Sequence, residues 1–218
     1  MNYSFRKKNK TVKYVIIHYT GMKNLELAFK KLNSLNSDVS CHYLISRDGK
    51  IFNLLCPSLK AWHAGISKWG KTLNLNDESI GIELENKGHD FGYQFFTDAQ
   101  YRSLKKLYNF LKNNYLIHKN NVLTHSDIAP NRKKDPGERF YFNKFNLIKD
   151  KTLAKDSKKK LKNIEYLLKI YGFHKTYIKN NRNDCIEAVK RTLNYNSKKI
   201  NSDINQAFLK DFYNLIFK

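Results

Sequence analysis

The run SIGIELE, Ser79 to Glu85, decides how this chain is read. Ile80, Ile82 and Leu84 alternate with Gly81, Glu83 and Glu85, the period of a β-strand with one apolar face. Both glutamates then share the opposite face. A carboxylate on an otherwise apolar strand is costly to bury unless it is paired or put to use, although a solvated strand face would also accommodate it.

Outward from this strand the pattern keeps alternating. Val12 to Tyr19 (VKYVIIHY) is a short β-branched run of the buried-strand kind. Leu25, Ala28, Phe29, Leu32 and Leu35 follow at helical spacing. His42 to Leu55 (HYLISRDGKIFNLL) holds two β-like runs joined by the turn pair Asp48-Gly49, which predicts a hairpin. Thr97 and Gln100 form a capping-box start, and Leu104, Leu107, Leu111, Tyr108 and Tyr115 give the stripe of a long helix. Asn121 to Thr124 is a short strand that delivers His125 to its end. Strands alternating with helices predict an α/β domain with a mixed central sheet flanked by helices. Functional groups on such a sheet sit at strand ends and in loops.

The texture changes at Lys149. KDKTLAKDSKKKLK reads as a Lys-rich linker, and three helical patterns follow. Leu161, Ile164, Leu168 and Tyr171 make the first, closed by Gly172. Ile186, Val189 and Leu193 make the second. Ile204, Ala207, Phe208, Phe212 and Leu215 make the third, with Ser202 as its N-cap. The expected division is a domain over residues 1–148, a linker over 149–160 and a small three-helix domain over 161–218.

Composition sets the bounds. A chain of 218 residues, 41% hydrophobic and 14% aromatic, buries a core, and no window reaches the roughly 18 unbroken apolar residues of a membrane span. The formal net charge of +22 favours polyanions in general. The excess is mostly Lys accompanied by abundant Asn, Ile and Tyr, a composition an AT-rich genome also produces. A nucleic-acid partner is not expected, because no recognised motif or aromatic-basic interleaving accompanies the charge. Cys41, Cys56 and Cys185 show no CxxC spacing, and their odd count argues against a disulfide framework. The opening MNYSFRKKNKTVKYVIIHYT shows no signal-peptide core and points to the cytoplasm, whereas an accessory C-terminal unit points to the periplasm or envelope; both stay open.

The chemistry gathers around VLTHSDIAPNRKKDPGERF, Val122 to Phe140. Two of the chain's three prolines, Pro130 and Pro136, sit here with Gly137, which predicts a fixed loop geometry. His18, His125 and Asp135 are the residue types of a three-ligand zinc site with a fourth position left open, although a single strand-end histidine is usually structural. Glu83 can carry a proton between water and a leaving amine. Lys133 can stabilise an oxyanion or, beside Arg132 and Lys134, simply be solvated. In AWHAG, Ala61 to Gly65, Trp62 reads as packing, and His63 either donates to a substrate or is satisfied internally.

Together these motifs resemble the zinc amidases that include bacterial N-acetylmuramoyl-L-alanine amidases, the T7 lysozyme type and the animal peptidoglycan recognition proteins. The resemblance covers Lys13 to Phe145. It rests on VIIHYT at His18, CHYLISRDGKI at His42, AWHAG at His63, SIGIELE at Glu83 and HSDIAPNRKKDPG at His125. It implies that His18, His125 and Asp135 bind zinc. It also implies that Glu83 handles the proton of the attacking water, with Glu85 as its competitor on the same face, and that Lys133 stabilises the tetrahedral intermediate. The prolines and glycine would return Asp135 to the metal held by His125. His42 is not a ligand in that pattern and goes, with Trp62, His63 and Ala64, to substrate binding. The expected reaction is hydrolysis of the amide between N-acetylmuramic acid, the 1,6-anhydro form included, and L-alanine of the stem peptide, in cell-wall turnover or recycling. The expected partners are peptidoglycan or muropeptide fragments. A recognition protein that binds without cutting is the alternative. The C-terminal helices resemble, more loosely, a three-helix peptidoglycan-binding module, and a cap packed on the catalytic domain is the other reading.

Overall fold

A computed structural model describes residues 2–145, 163–195 and 206–217. The strands are β1 (Tyr3–Phe5), β2 (Tyr14–Tyr19), β3 (Tyr43–Ile45), β4 (Ile51–Asn53), β5 (Leu59–Ala61), β6 (Lys68–Trp69), β7 (Thr72–Leu73), β8 (Ser79–Leu84) and β9 (Val122–Thr124). Five of them form a mixed sheet in the order β4-β3-β8-β2-β9. β3, β8, β2 and β9 run parallel to their neighbours, and β4 closes one edge antiparallel through the expected hairpin. β1 pairs with β5, and β6 with β7, as two-residue or three-residue ribbons beside this sheet.

The sheet is covered on both faces, so β2 reads as a continuous apolar run: Val15, Ile16 and Ile17 have no exposed surface. One face turns Val15, Ile17, Ile80, Ile82 and Leu84 toward α2 (Asp98–Tyr115), where Leu104, Leu107 and Leu111 meet them. Thr97 and Gln100 close the predicted capping box at its start. On the opposite face α1 (Leu25–Asn33) packs Leu32 on Leu44. This helix stops before Leu35, because Ser34 turns extended and returns its N–H to Lys31; Leu35 is left on the surface.

Ile16 and Leu123 on that same face join a second core made by the C-terminal helices. These are α4 (Ile164–Tyr171), α5 (Lys175–Asn180), α6 (Arg182–Thr192) and α7 (Gln206–Phe217), with α3 (His125–Ile128), which follows β9, contributing Ile128. Leu167, Leu168, Phe208 and Phe212 are fully buried in it. Gly172 ends α4 at φ 128°, and a Cβ there would overlap the indole of Trp69. Three helices were expected and four are present among the described residues. The extra one, α5, offers only Tyr177 and Ile178 as apolar residues, too few to set a period. The linker 149–160, Leu161, Ser202 and Ile204 lie outside the described residues. Among the described residues no helix is long and apolar enough to cross a membrane.

Candidate metal centre and active site

Three parallel strands bring the chemistry to one end of the sheet. His18 stands near the end of β2, and Glu83 sits directly beside it in register on β8. The next strand, β9, runs straight into α3, so His125 is the first residue of a single helical turn. Thr124 caps that turn and Asp127 reciprocates, with Thr124 N–H on Asp127 Oδ2 at 2.9 Å and Asp127 N–H on Thr124 Oγ1 at 3.0 Å. The following loop folds back. Ser126 N–H donates to the carbonyl of Asp135 at 3.1 Å, the Asp135-Pro136 bond is cis, and Tyr93 Oη–H donates to the Pro136 carbonyl at 2.6 Å.

His18 Nδ1, His125 Nδ1 and Asp135 Oδ2 consequently lie 3.0 Å from one another, all buried. That spacing is close to the edge of about 3.3 Å for a tetrahedron with ligand bonds of about 2.0 Å. Burial and the neighbouring His125 pull His18 down to about 4, leaving it neutral at neutral pH, the form that ligates. Burial pushes Asp135 up, but His125 and His18 outweigh it and hold the carboxyl well below the usual range. His125 Nε2 faces the Ala64 carbonyl at 3.3 Å; a carbonyl only accepts, so Nε2 bears the proton and Nδ1 offers its lone pair. Two imidazoles and an ionised carboxylate converging on one point fit a divalent cation, so these three residues form a site that could hold a metal.

A cavity of about 490 Å³ opens over this cluster, lined also by Glu83, Lys133, Arg132 and Lys31. Glu83 Oε2 is buried and, among the described residues, has no hydrogen-bond partner. Burial, reinforced by the charge of Asp135, raises its carboxyl well above the usual value, with Lys133 pulling the other way. Glu85, on the same strand face, is occupied: its Oε2 accepts the Arg47 N–H at 2.8 Å. Arg132 reaches across the loop to the carbonyls of Ala64 and Ile66, at 2.6 and 2.8 Å.

The four residues expected to touch substrate are placed as follows. His42 is completely buried; its Nδ1 accepts Gly81 N–H at 3.0 Å, its Nε2 meets the Leu59 carbonyl at 3.1 Å, and burial brings it down to about 3. Trp62 donates its indole N–H to Ser4 Oγ at 3.1 Å. His63 borders the cavity, yet both ring nitrogens have internal partners, His18 Nε2 at 3.0 Å and Ser79 Oγ at 3.1 Å. Ala64 contributes its carbonyl to His125 and Arg132. Sequence reasoning did not single out Ser79, Asp127 or the structural role of Arg132; only the third dimension places Ser79 against His63, Asp127 on the turn that begins with His125, and Arg132 on the Ala64 carbonyl.

Residues 8–138 match the family model described as N-acetylmuramoyl-L-alanine amidase. The chain is 40% identical over 141 residues to the N-acetylmuramoyl-L-alanine amidase AmiD of Escherichia coli K12, covering 59% of this chain and 50% of that protein. It is 42% identical over 113 residues to the 1,6-anhydro-N-acetylmuramyl-L-alanine amidase AmpD of the same organism, covering 52% and 60%. The chain thus spans half to three-fifths of the length of these relatives. The solved complex of AmiD with its substrate anhydro-N-acetylmuramic acid-L-Ala-D-gamma-Glu-L-Lys superposes with a TM-score of 0.70 at 26% identity, over 95% of this chain and 91% of that one. Motif, fold and site agree, and the chain belongs to the N-acetylmuramoyl-L-alanine amidase family.

Proposed function

We propose that this protein is a zinc amidase that hydrolyses the bond between the lactyl carbonyl of N-acetylmuramic acid, the 1,6-anhydro form included, and the L-alanine nitrogen of the stem peptide. The observation that carries this reading is the unpaired Glu83 Oε2 lining the same cavity as the His18, His125 and Asp135 ligand atoms and Lys133. His18, His125 and Asp135 would hold the zinc, which when bound polarises a carbonyl and acidifies water. Glu83 takes the proton of the attacking water at Oε2 and returns it to the departing nitrogen. The Lys133 ammonium offsets the negative charge that grows on the carbonyl oxygen. The products are a muramic carboxylate and a free peptide amine. The relatives named above, and the anhydro-muropeptide bound by the AmiD neighbour, support a muropeptide substrate.

Residues 1–148 serve as the catalytic domain in this proposal, and 161–218 as a helical unit contacting peptidoglycan. A second cavity, bordered by Tyr166, Lys169, Lys175, Lys179 and Arg182, supports the latter with positive charge suited to an anionic polymer.

The test is mass spectrometry of a defined anhydro-muropeptide and its ordinary-sugar counterpart, incubated with zinc-loaded and with chelator-stripped protein. Free stem peptide and intact sugar should appear only with zinc. No cleavage of either sugar by protein verified to hold zinc would sink the enzyme reading in favour of a recognition protein that binds without cutting.

A further inference from the structure

His63 is packed as a positioning group. Its ring packs closely on β8 at Gly81, where a Cβ would come within 2.7 Å of His63 Nδ1. The main chain beneath it is fixed, because His63 N–H and Ala64 N–H both donate to Asn76 Oδ1, at 3.1 and 2.7 Å. The Gly81 N–H is held by His42 Nδ1 at 3.0 Å, and the His42 ring meets the His63 ring edge-on.

Proton placement follows from one carbonyl. The Leu75 carbonyl can only accept, and Ser79 Oγ lies 2.6 Å from it, so the single hydroxyl proton of Ser79 is committed there. Ser79 Oγ must then accept at its other contact, 3.1 Å from His63 Nε2, which places a proton on that nitrogen. A neutral imidazole carries one N–H, so His63 Nδ1 is bare. It accepts from His18 Nε2 at 3.0 Å, and His18 Nδ1, the atom aimed at His125 and Asp135, keeps its lone pair. Reversing the order would set the bare Nε2 of His63 against a Ser79 oxygen whose proton is already used.

We infer that Ser79 and His63 form a hydrogen-bonded relay that fixes His18 in the tautomer presenting Nδ1 to the metal, making both of them positioning residues for this ligand. The inference rests on the metal reading above, which assigns His18 no particular tautomer and His63 no part in ligand orientation. Outer partners of this kind typically alter metal affinity by about 10–100-fold.

The test measures zinc affinity by chelator competition for the wild type, Ser79→Ala, His63→Gln, His63→Phe and Asp135→Ala, together with the visible spectrum of each cobalt-loaded form. A glutamine can accept from His18 through Oε1 and donate to Ser79 through Nε2, whereas phenylalanine keeps the bulk and does neither. Ser79→Ala and His63→Phe should bind zinc about 10–100-fold more weakly and shift the cobalt spectrum, while His63→Gln stays within about threefold of wild type. Thermal unfolding of the metal-free proteins checks folding, and Ser79→Ala against His63→Gln decides the matter if the phenylalanine variant does not fold. Wild-type affinity in Ser79→Ala, or equal losses in His63→Gln and His63→Phe, would overturn the relay. Failure of the wild type to bind one equivalent of metal, or undiminished binding by Asp135→Ala, would overturn the metal reading and the relay with it, and the wild-type and Asp135 arms tell that outcome from the first.

Discussion

Tyr171, on the first C-terminal helix, donates its hydroxyl to Asp127 Oδ1 at 3.1 Å, and the other oxygen of Asp127 caps the turn that begins with His125. Both partners are buried. A helix far along the chain therefore holds a carboxylate that shapes the backbone beneath His125. Replacing Tyr171 with Phe leaves the ring and its packing in place and removes the hydroxyl, with its hydrogen bonds to Asp127 and Thr192. The expected loss is about 1–3 kcal/mol of unfolding free energy, read by urea denaturation, with a weaker metal affinity as its companion. An unchanged midpoint and affinity would mean that the cap stands without Tyr171.

Glu83 and Lys133 border the same cavity but lie outside the cluster of His18, His125 and Asp135. Glu83→Gln should lower kcat by about 10²–10⁴-fold while zinc content stays at one equivalent. Lys133→Ala should lower kcat by roughly 10²–10³-fold, with a smaller change in KM, since an oxyanion forms only on the way to product. Steady-state kinetics on a muropeptide with metal analysis of the same samples checks both. Full turnover in Glu83→Gln would remove it as the proton carrier.

Metal removal has a thermodynamic signature of its own. An ion bound only by the folded state adds about 2.7 kcal/mol at a free concentration one hundred times Kd. Zinc-loaded protein should therefore melt several degrees above the chelator-stripped form, and Asp135→Ala should show no such difference. An equal zinc-dependent rise in that variant would place the ion elsewhere.

The N-terminal segment is tied down by charge. Lys10 and Lys13 reach Glu78 at 2.5 and 2.7 Å. Burial pushes the Glu78 carboxyl up, but the two lysine contacts outweigh it and leave it below its ordinary value. A carboxyl lowered on folding stabilises above its unfolded pKa, about 4.3, and that contribution disappears as pH falls through the folded value. With both lysines largely exposed, the effect is about 1 kcal/mol or less. Wild type and Glu78→Gln should differ most in denaturation midpoint near neutral pH and converge as the pH falls through the lowered folded value of the carboxyl; a gap that persists in strong acid would count against the ion pairs.

Most of the sheet was legible because its strands carry their burial in the residue types. Val15 to Ile17 are apolar on both faces, and Ile80, Ile82 and Leu84 alternate with Gly81 and Glu83. The α2 start was legible from Thr97 and Gln100 alone. By contrast β1 and β5, three residues each, are too short to show a period, and the stripe on α4 announces burial without naming the core it joins, which takes in Ile16 and Leu123 from across the chain. The motifs marked His42 and His63, but their hydrogen bonds depend on Gly81 and Ser79, which face them only after β8 has docked. Spacing along the chain carries no information about such a meeting.

The pairing of β2 with β8 sets His18 opposite Glu83 and Tyr19 opposite Leu84. A slip of one residue in either strand would turn its side chains to the wrong face, taking His18 or Glu83 out of the cavity and driving a polar group into the layer against α2. No partly active misfold is available by that route. Specific activity per mole of soluble protein is therefore also a count of correctly aligned strands, and a refolding experiment followed by turnover would report the fidelity of sheet assembly directly.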